Sequence, residues 1–432
     1  MDKIVTKAYA KINLGLDVLR RREDGYHEVR MIMQTIHLFD RLDISKNRSG
    51  KITMKTNLSF LPTNENNLVY KAAKLLVDEF QIQDGIHVNL KKHIPVAAGM
   101  EHYNCGPHLY EYLKEFHDEV LSKYDCFTVG EGPLITPEKV LRFVTEDETQ
   151  VLKTMFSFDH LEADCFMTDW IKTPFNLKKM KKCYQKWYDA MNGKAWHTLY
   201  LENHDHPRIV DRYGSLKYRV ESAKMLATMC YMQKGTPFIY QGQEIGMTNI
   251  ELHSIDEFKD MITFNNQIMF NKLGIKGDKF IKMANAGSRE NSRTPVQWDD
   301  SAYAGFSTVE PWFNLNPNYT EINVAQSEAD ENSILNYYRK LLKFRKEHEV
   351  IIYGDFKQYY ENSDKLFVYE RTLDGEKALV VCSFSDKCVN FEAPAGYDLS
   401  KGELALSNYR LNPVTNNSFV TRPYECRVYY FK

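Results

Sequence analysis

Apolar residues recur along this chain in two rhythms, and the rhythm changes near residue 100. Before that point, residues 67–80 (NLVYKAAKLLVDEF) carry Leu68, Ala72, Leu75, Leu76 and Phe80 on one face. That spacing predicts an amphipathic helix. Runs at 50–55 and 86–90 flank it as strand candidates, so this part reads as α+β. From residue 106 onward, short apolar runs alternate with helical stripes. Leu109, Leu113, Phe116, Val120 and Tyr124 form the first stripe. Strand runs at 125–131, 152–160, 196–205 and 235–246 then alternate with helical patterns at 137–144, 177–191 and 216–233. Strands alternating with helices imply a parallel sheet. A basic-faced helix follows at 334–348, and then short strands with turn signals such as Asp374-Gly375 predict an antiparallel β-sandwich.

The chain has 432 residues, which suggests roughly two to four domains. Hydrophobic residues make up 43% and charged residues 26%, ordinary values for a globular chain with a sizeable core. Lys plus Arg total 56 and Asp plus Glu 58, a net charge of -2. Such a balance carries no electrostatic footprint for nucleic acid or an anionic membrane. No apolar run approaches the roughly 20 residues that span a bilayer. The N-terminus lacks the continuous apolar core of a secretory signal. The eight cysteines are scattered without a CxxC pair, which points to reduced thiols and a cytoplasmic location. Aromatics reach 13%, a content that suits carbohydrate stacking as well as large cores.

Candidate chemistry sits where the predicted strands end. In β/α barrels the C-terminal strand ends carry the active site. Here those ends read Gly130-Glu131, Asp159-His160, Asn203-His204-Asp205 and Gln241-Gly242-Gln243-Glu244. Glu131 follows an apolar run and would meet solvent at a dry wall, a setting that suits a general acid. His204, Asp205 and His206 are adjacent, and adjacent strand residues point to opposite faces. Their side chains therefore do not converge easily on one ion, and no metal is expected. Without more information, strand-end caps and surface salt bridges explain these residues as well.

Four segments add to that reading: VLSKYDCFTVGEGPLITPE, WHTLYLENHDHPRIVDRYGS, KGTPFIYQGQEIGMTN and SRENSRTPVQWDDSAYAGFS. In this order they resemble glycoside hydrolase family 13, in its oligo-1,6-glucosidase, dextran glucosidase and trehalose-6-phosphate hydrolase group. The resemblance runs from about residue 102 to the end. It implies a retaining α-glucosidase of short oligosaccharides that needs no cofactor. In that reading Glu131 is the acid/base and Asp205 the carboxylate that binds sugar hydroxyls. His204, Arg208 and Arg289 lie near the substrate. His206 departs from the commoner Gln.

The segments AYAKINLGLDVLRRREDGYHEV (8–29), NLVYKAAKLL and KKHIPVAAGM (91–100) resemble something else. They are similar to the N-terminal lobe of the 4-diphosphocytidyl-2-C-methyl-D-erythritol kinases of the GHMP superfamily. This resemblance implies that Lys11 and Asn13 lie near a substrate, and that Tyr26 and His27 hold a cytosine. After VAAGM, however, the chain reads EHYNCGPHLYEYL, where that family continues with a small-residue phosphate loop. Bulky residues there do not let backbone N–H groups cradle phosphates.

The expected architecture is therefore a hybrid. A kinase-like lobe fragment occupies 1–100, strands five to eight of a β/α barrel occupy 101–350, and a β-sandwich occupies 351–432. The hydrolase resemblance places a nucleophilic Asp just before GPHLYEYL, and no Asp stands in VAAGMEHYNCGPH. Retaining hydrolysis needs two carboxyl groups about 5 Å apart, so impaired turnover is expected. Open sheet edges invite self-association. A kinase fragment without its ATP loop and a non-catalytic sugar-binding fragment are the competing readings.

Overall fold

The computed structural model describes residues 3–23, 27–57, 61–92, 105–166, 168–410 and 416–432. The chain divides into two compact units, Met1–Tyr103 and Asn104–Lys432.

In the first unit, β1 (Lys3–Arg21) and β2 (His27–Asn47) pair as one long antiparallel hairpin. Ile4, Thr6, Ala8, Ala10, Ile12, Leu14, Leu16 and Val18 alternate with other residues along β1. That is a period-2 pattern over many turns of the pleat. The register slips between Tyr9 and Lys11, between Asn13 and Gly15 and between Val18 and Arg20. β3 (Ile52–Thr56), α1 (Leu68–Glu79) and β4 (Gly85–Lys91) complete the sheet in the order β1-β2-β4-β3. β3 and β4 are parallel and joined through α1, so this stretch is a βαβ crossover. Asn67 caps α1 by accepting the Val69 N–H at 2.9 Å.

The helix forms where its periodicity predicts, but a different face turns inward. Leu68, Leu75 and Phe80 are at least 69% exposed. The half-buried residues are Val69, Tyr70, Ala73 and Val77, one rotational step away. The sequence carries two apolar stripes on this helix, and the narrow one meets the sheet.

The second unit begins with α2 (Leu109–Glu119), whose Leu109 and Leu113 pack against a core of Val140, Phe143 and Trp187. Phe116, Val120 and Tyr124, expected on the same buried stripe, are exposed. Then come β5 (Val129–Glu131), α3 (Pro137–Val144) and β6 (Thr154–Phe156). A small hairpin follows, β7 (Cys165–Phe166) and β8 (Thr168–Lys172), and then α4 (Leu177–Met191). Next are β9 (Thr198–Leu199), α5 (Arg219–Tyr231) and β10 (Thr236–Pro237). β5 pairs parallel with β6, and β9 with β10. Side chains bridge the two pairs: the Thr154 hydroxyl donates to the Trp196 carbonyl at 2.8 Å, and Tyr200 to the Ser157 carbonyl at 2.7 Å. The expected strand-helix rhythm is present. The strands are only two or three residues long, because the polar residues closing each apolar run leave the sheet and form loops.

Past these strands, α6 (Met261–Lys272) and α7 (Asp278–Gly287) build a separate helical layer around Trp170, Phe270 and Phe280. α8 (Ile334–Glu347) is capped by the Ser333 side chain. The C-terminal strands are β11 (Asp355–Tyr359), β12 (Leu366–Leu373), β13 (Glu376–Ser383), β14 (Val389–Glu392), β15 (Glu403–Ser407), β16 (Ser418–Thr421) and β17 (Cys426–Phe431). Five of them form an antiparallel sheet in the order β11-β12-β13-β17-β15, and β14-β16 form a second ribbon. Asp374 and Gly375 both have positive φ, the tight hairpin turn their identities predict.

Alternation decides which side of the large sheet faces what. Phe367, Tyr369, Val380, Cys382 and Val428 join the core with α5 and α8. Leu366, Val368, Leu379, Val381 and Tyr429 pack with Phe391 of the ribbon. All eight cysteines are free thiols. No described helix is long and apolar enough to cross a membrane.

Buried cations fasten α4 to the C-terminal sheet and α8 to the end of α5. Lys181 of α4 is 0% exposed, and its ammonium donates to the carbonyls of Tyr360, Ser363 and Leu366 at 2.6, 2.7 and 3.2 Å. Arg345 of α8 donates to the carbonyls of Tyr231 and Gln233 at 2.8 and 2.7 Å. Replacing Lys181 by Met strands three acceptors in a dry seam. Lys181→Met is expected to cost roughly 2–4 kcal/mol, read as a lowered midpoint in urea unfolding. An unchanged midpoint would show that the seam does not depend on this contact.

Candidate active site

β5 delivers Glu131 to the rim of a cleft of about 370 Å³. Its wall is aromatic, with Phe156, Tyr200, Phe238 and Tyr240, and His204 shares the lining. Phe156 meets Tyr200 and Phe238 edge-on, at 5.0 and 4.7 Å between ring centroids. Part of the aromatic excess thus lines the cleft. Glu131 is exposed, at the solvent edge of this largely apolar wall. Gly132 behind it is buried under Ile135 and Met155, and a side chain there would collide with both. The bend that presents Glu131 therefore requires glycine.

Asp205 sits in a turn beyond β9, where its N–H donates to the Asn203 side chain at 2.8 Å. Two guanidinium groups converge on one of its oxygens. Arg289 reaches Oδ1 at 2.9 Å and Arg293 reaches it at 2.8 Å. Arg289 also grips Asp260 with two parallel donors, at 2.6 and 2.9 Å. Asp260 caps α6 by accepting the Ile262 N–H at 2.9 Å. The result is a closed square of two acids and two arginines. Burial pushes the Asp205 carboxyl up. The hydrogen bond from Arg289, with the charges of His204, Arg289 and Arg293, outweighs that and holds it below the usual carboxylate range. Asp205 is thus ionised at neutral pH with Oδ2 facing His204, whose Nε2 lies 3.4 Å away.

The three adjacent residues lie in a turn beyond β9 rather than on a strand, and they meet different partners. His204 is exposed, Asp205 turns to the arginines, and His206 Nδ1 makes a short contact with Asp169. Asp169 also pairs with Arg212 at 2.9 Å. Burial pushes the Asp169 carboxyl up, and His206 and Arg212 overcome this and bring it down to about 2. Asp164, Cys165 and Asp169 place ligating atoms within 4.8 Å of one another. Arg212 and Lys172 already pair with Asp164 at 2.6 and 3.0 Å, and burial pushes the Cys165 thiol up to about 11. This chemistry is that of an ion-pair network, not of a metal site.

Arg208 lies elsewhere than expected. It is 0% exposed and donates to Glu202 at 3.0 Å and to the Gln241 carbonyl at 2.8 Å. Its guanidinium ties the loop after β9 to the loop after β10, behind the cleft rather than in it. Burial pushes the Glu202 carboxyl up, and Arg208 offsets this only in part. Among the described residues, Glu202 and Glu131 are the carboxylates lining the cleft, and Glu202 is committed to Arg208. Sequence reasoning misses Asp260 and Arg293. Arg293 stands four residues after Arg289 in SRENSR, a spacing that puts both on one side of a helical turn.

Among the kinase-like positions, Lys11 and Asn13 fall on β1 and His27 opens β2. Their side chains lie outside the described residues, as does Tyr26. The stretch IPVAAGMEHYN, which bears on the missing nucleophile and on the phosphate loop, also lies outside them.

A family model described as alpha amylase, catalytic domain, matches residues 63–354. The chain is 42% identical to an oligo-1,6-glucosidase of Halalkalibacterium halodurans, over 78% of this chain and 60% of that protein. It is 37% identical to a trehalose-6-phosphate hydrolase of Bacillus subtilis, over 77% of this chain and 60% of that protein. The crystal structure of a mutant form of Bacillus licheniformis trehalose-6-phosphate hydrolase superposes with a TM-score of 0.73 at 37% identity, covering 79% of this chain and 62% of that one. An isomaltulose synthase from Klebsiella sp. LX3 superposes with a TM-score of 0.74 at 32% identity, covering 78% and 62%. The chain therefore spans about 60% of the length of the curated relatives it matches. The family match begins at residue 63, inside the stretch with kinase-like motifs, so the kinase resemblance rests on those motifs alone.

The Asp169 pair makes a pH prediction. A carboxyl lowered from 3.8 to about 2 on folding contributes stability that is complete above 3.8 and lost as pH falls toward 2. The magnitude is about 2 kcal/mol. The melting-temperature gap between wild type and Asp169→Asn should therefore narrow as pH drops from 4 to 2. His206→Gln, which can still donate to Asp169, should cost less than about 1 kcal/mol. A gap that stays constant across that pH range would remove Asp169 from the acid response.

Proposed function

Because the chain belongs to the alpha-amylase catalytic-domain family of glycoside hydrolases, we propose that its cleft takes the glucose end of short α-glucosides and turns them over poorly. Glu131 is the proton donor to the departing oxygen. Asp205, held ionised, accepts hydrogen bonds from sugar hydroxyls through Oδ2, and those bonds strengthen as the ring gains oxocarbenium character. His204 flanks the same sugar. The observation that carries the reading is an exposed Glu131 on an aromatic wall that His204 shares, with the His204 Nε2 3.4 Å from a carboxylate fixed by two arginines.

Poor turnover follows from the count of usable carboxylates. Retention needs an attacking carboxylate about 5 Å from the donor. Among the described residues that line the cleft only Glu202 accompanies Glu131, and Arg208 occupies it. Without the attacker, the donor protonates a leaving group that nothing displaces, and rates fall by roughly 10⁴-fold or more. Short oligosaccharides with an α-1,6 bond are the favoured ligands, in keeping with the relatives named oligo-1,6-glucosidase. Among the described strands, β5 and β10 each pair on one side only, which favours self-association in solution.

Titration calorimetry with isomaltose is expected to give saturable binding with no glucose released. Arg289→Leu should weaken it about tenfold, the loss of roughly 1.4 kcal/mol from one charge-assisted contact network. Steady hydrolysis of p-nitrophenyl α-glucoside that Glu131→Gln abolishes would overturn the claim of poor turnover. Absence of any isomaltose binding would overturn the assignment of the cleft.

A further inference from the structure

We infer that the seam between α4 and the C-terminal sheet binds one small monoanion of chloride size, held by Arg371. A cavity of about 20 Å³ lies there, lined by Trp187, His197, Leu199, Gln233, Lys234 and Arg371 among others. That is room for one monatomic ion or one water. No Asp or Glu lines it, whereas two cations do.

Arg371 is fully buried, on β12 opposite Phe356 and Ala378. One terminal nitrogen donates to the Gly354 carbonyl and more distantly to that of Ile351. Its Nε and its other terminal nitrogen have no partner, and neither does Nδ1 of His197. Among the described residues no carboxylate forms an ion pair with Arg371. The neighbouring charges are committed elsewhere. Lys234 donates to the Asn192 side chain at 3.0 Å, and Arg345 to backbone carbonyls. Asp355, the nearby acid, is exposed and accepts from the Tyr188 hydroxyl at 3.0 Å.

A guanidinium in such a place has donors only and a full positive charge. A water would satisfy the two idle N–H groups and leave the charge uncompensated, and an uncompensated buried charge is costly. A halide accepts from both donors and cancels the charge. Burial lowers the Arg371 guanidinium to about 10, so it still carries its charge at neutral pH. Burial also brings His197 down to about 4, so its ring is neutral and adds no second charge. The ion would sit beside Gln233, whose carbonyl Arg345 already holds, and would join α4 to the C-terminal sheet.

The test is thermal unfolding of the full chain in sodium chloride against sodium gluconate at equal ionic strength. Chloride should raise the melting temperature by roughly 3 °C with a saturable dependence. Arg371→Met should melt identically in both salts. Should that variant fail to fold, bromide-soaked crystals of the wild-type chain decide the matter. An anomalous peak within hydrogen-bond distance of Arg371 Nε supports the site. Equal melting in the two salts, or a water and no bromide beside Arg371, overturns it. Neither readout involves sugars, so the outcome is independent of the proposed glucoside chemistry.

Discussion

Two arginines shared between two carboxylates hold the chemistry-bearing end of this molecule together. Arg289 and Arg293 both meet Oδ1 of Asp205, and Asp260 holds Arg289 from behind. Four half-buried or buried charges in a closed arrangement neutralise one another, which lets Asp205 stay ionised in a partly dry site. The arrangement also reaches across the sequence. Asp205 comes from the loop after β9, Asp260 from the start of α6 and the arginines from the turn after α7. One ion-pair square thereby fixes the helical layer at 247–293 to the strand ends. The Asp205 carboxylate gains its orientation from Arg289 and Arg293, which hold Oδ1 and leave Oδ2 toward His204.

Behind that end, the barrel helices depend on the C-terminal sheet for their burial. α5 is buried nearly all round, between the short strands and the sheet face of Phe367, Tyr369 and Val380. Strands of two or three residues offer few ladder hydrogen bonds, so packing and the buried cations carry the load. Lys181, Arg345 and Arg371 each end on backbone carbonyls instead of carboxylates. This device closes helix and loop ends without placing an acid in the core.

Much of this is legible in the sequence because local signals agree with the tertiary outcome. The helix at 177–191 has its bounds fixed by the Asn176 cap and a clear stripe, and the Asp374-Gly375 turn sets its hairpin. The strand ends carrying Glu131 and Asp205 are legible too, since glycine and acidic residues break the apolar runs there. Other features depend on distant partners and leave no local trace. Arg208 looks like a substrate residue in HPR, yet its burial is decided by Glu202 and by a carbonyl after β10. The inward face of α1 cannot be chosen from two apolar stripes without the sheet. Asp260 reads as an ordinary helix cap until Arg289 folds back on it.

The proposed chemistry turns on Glu131 acting as proton donor with no free attacking carboxylate beside it among the described residues that line the cleft. Intact-mass spectrometry of the purified chain, incubated with a slowly deglycosylating fluorinated α-glucosyl substrate, tests this directly. A retaining site with its nucleophile accumulates one glucosyl unit as an ester. An unmodified mass is expected at every incubation time, and a stoichiometric glucosyl adduct on any acidic side chain would contradict the missing attacker.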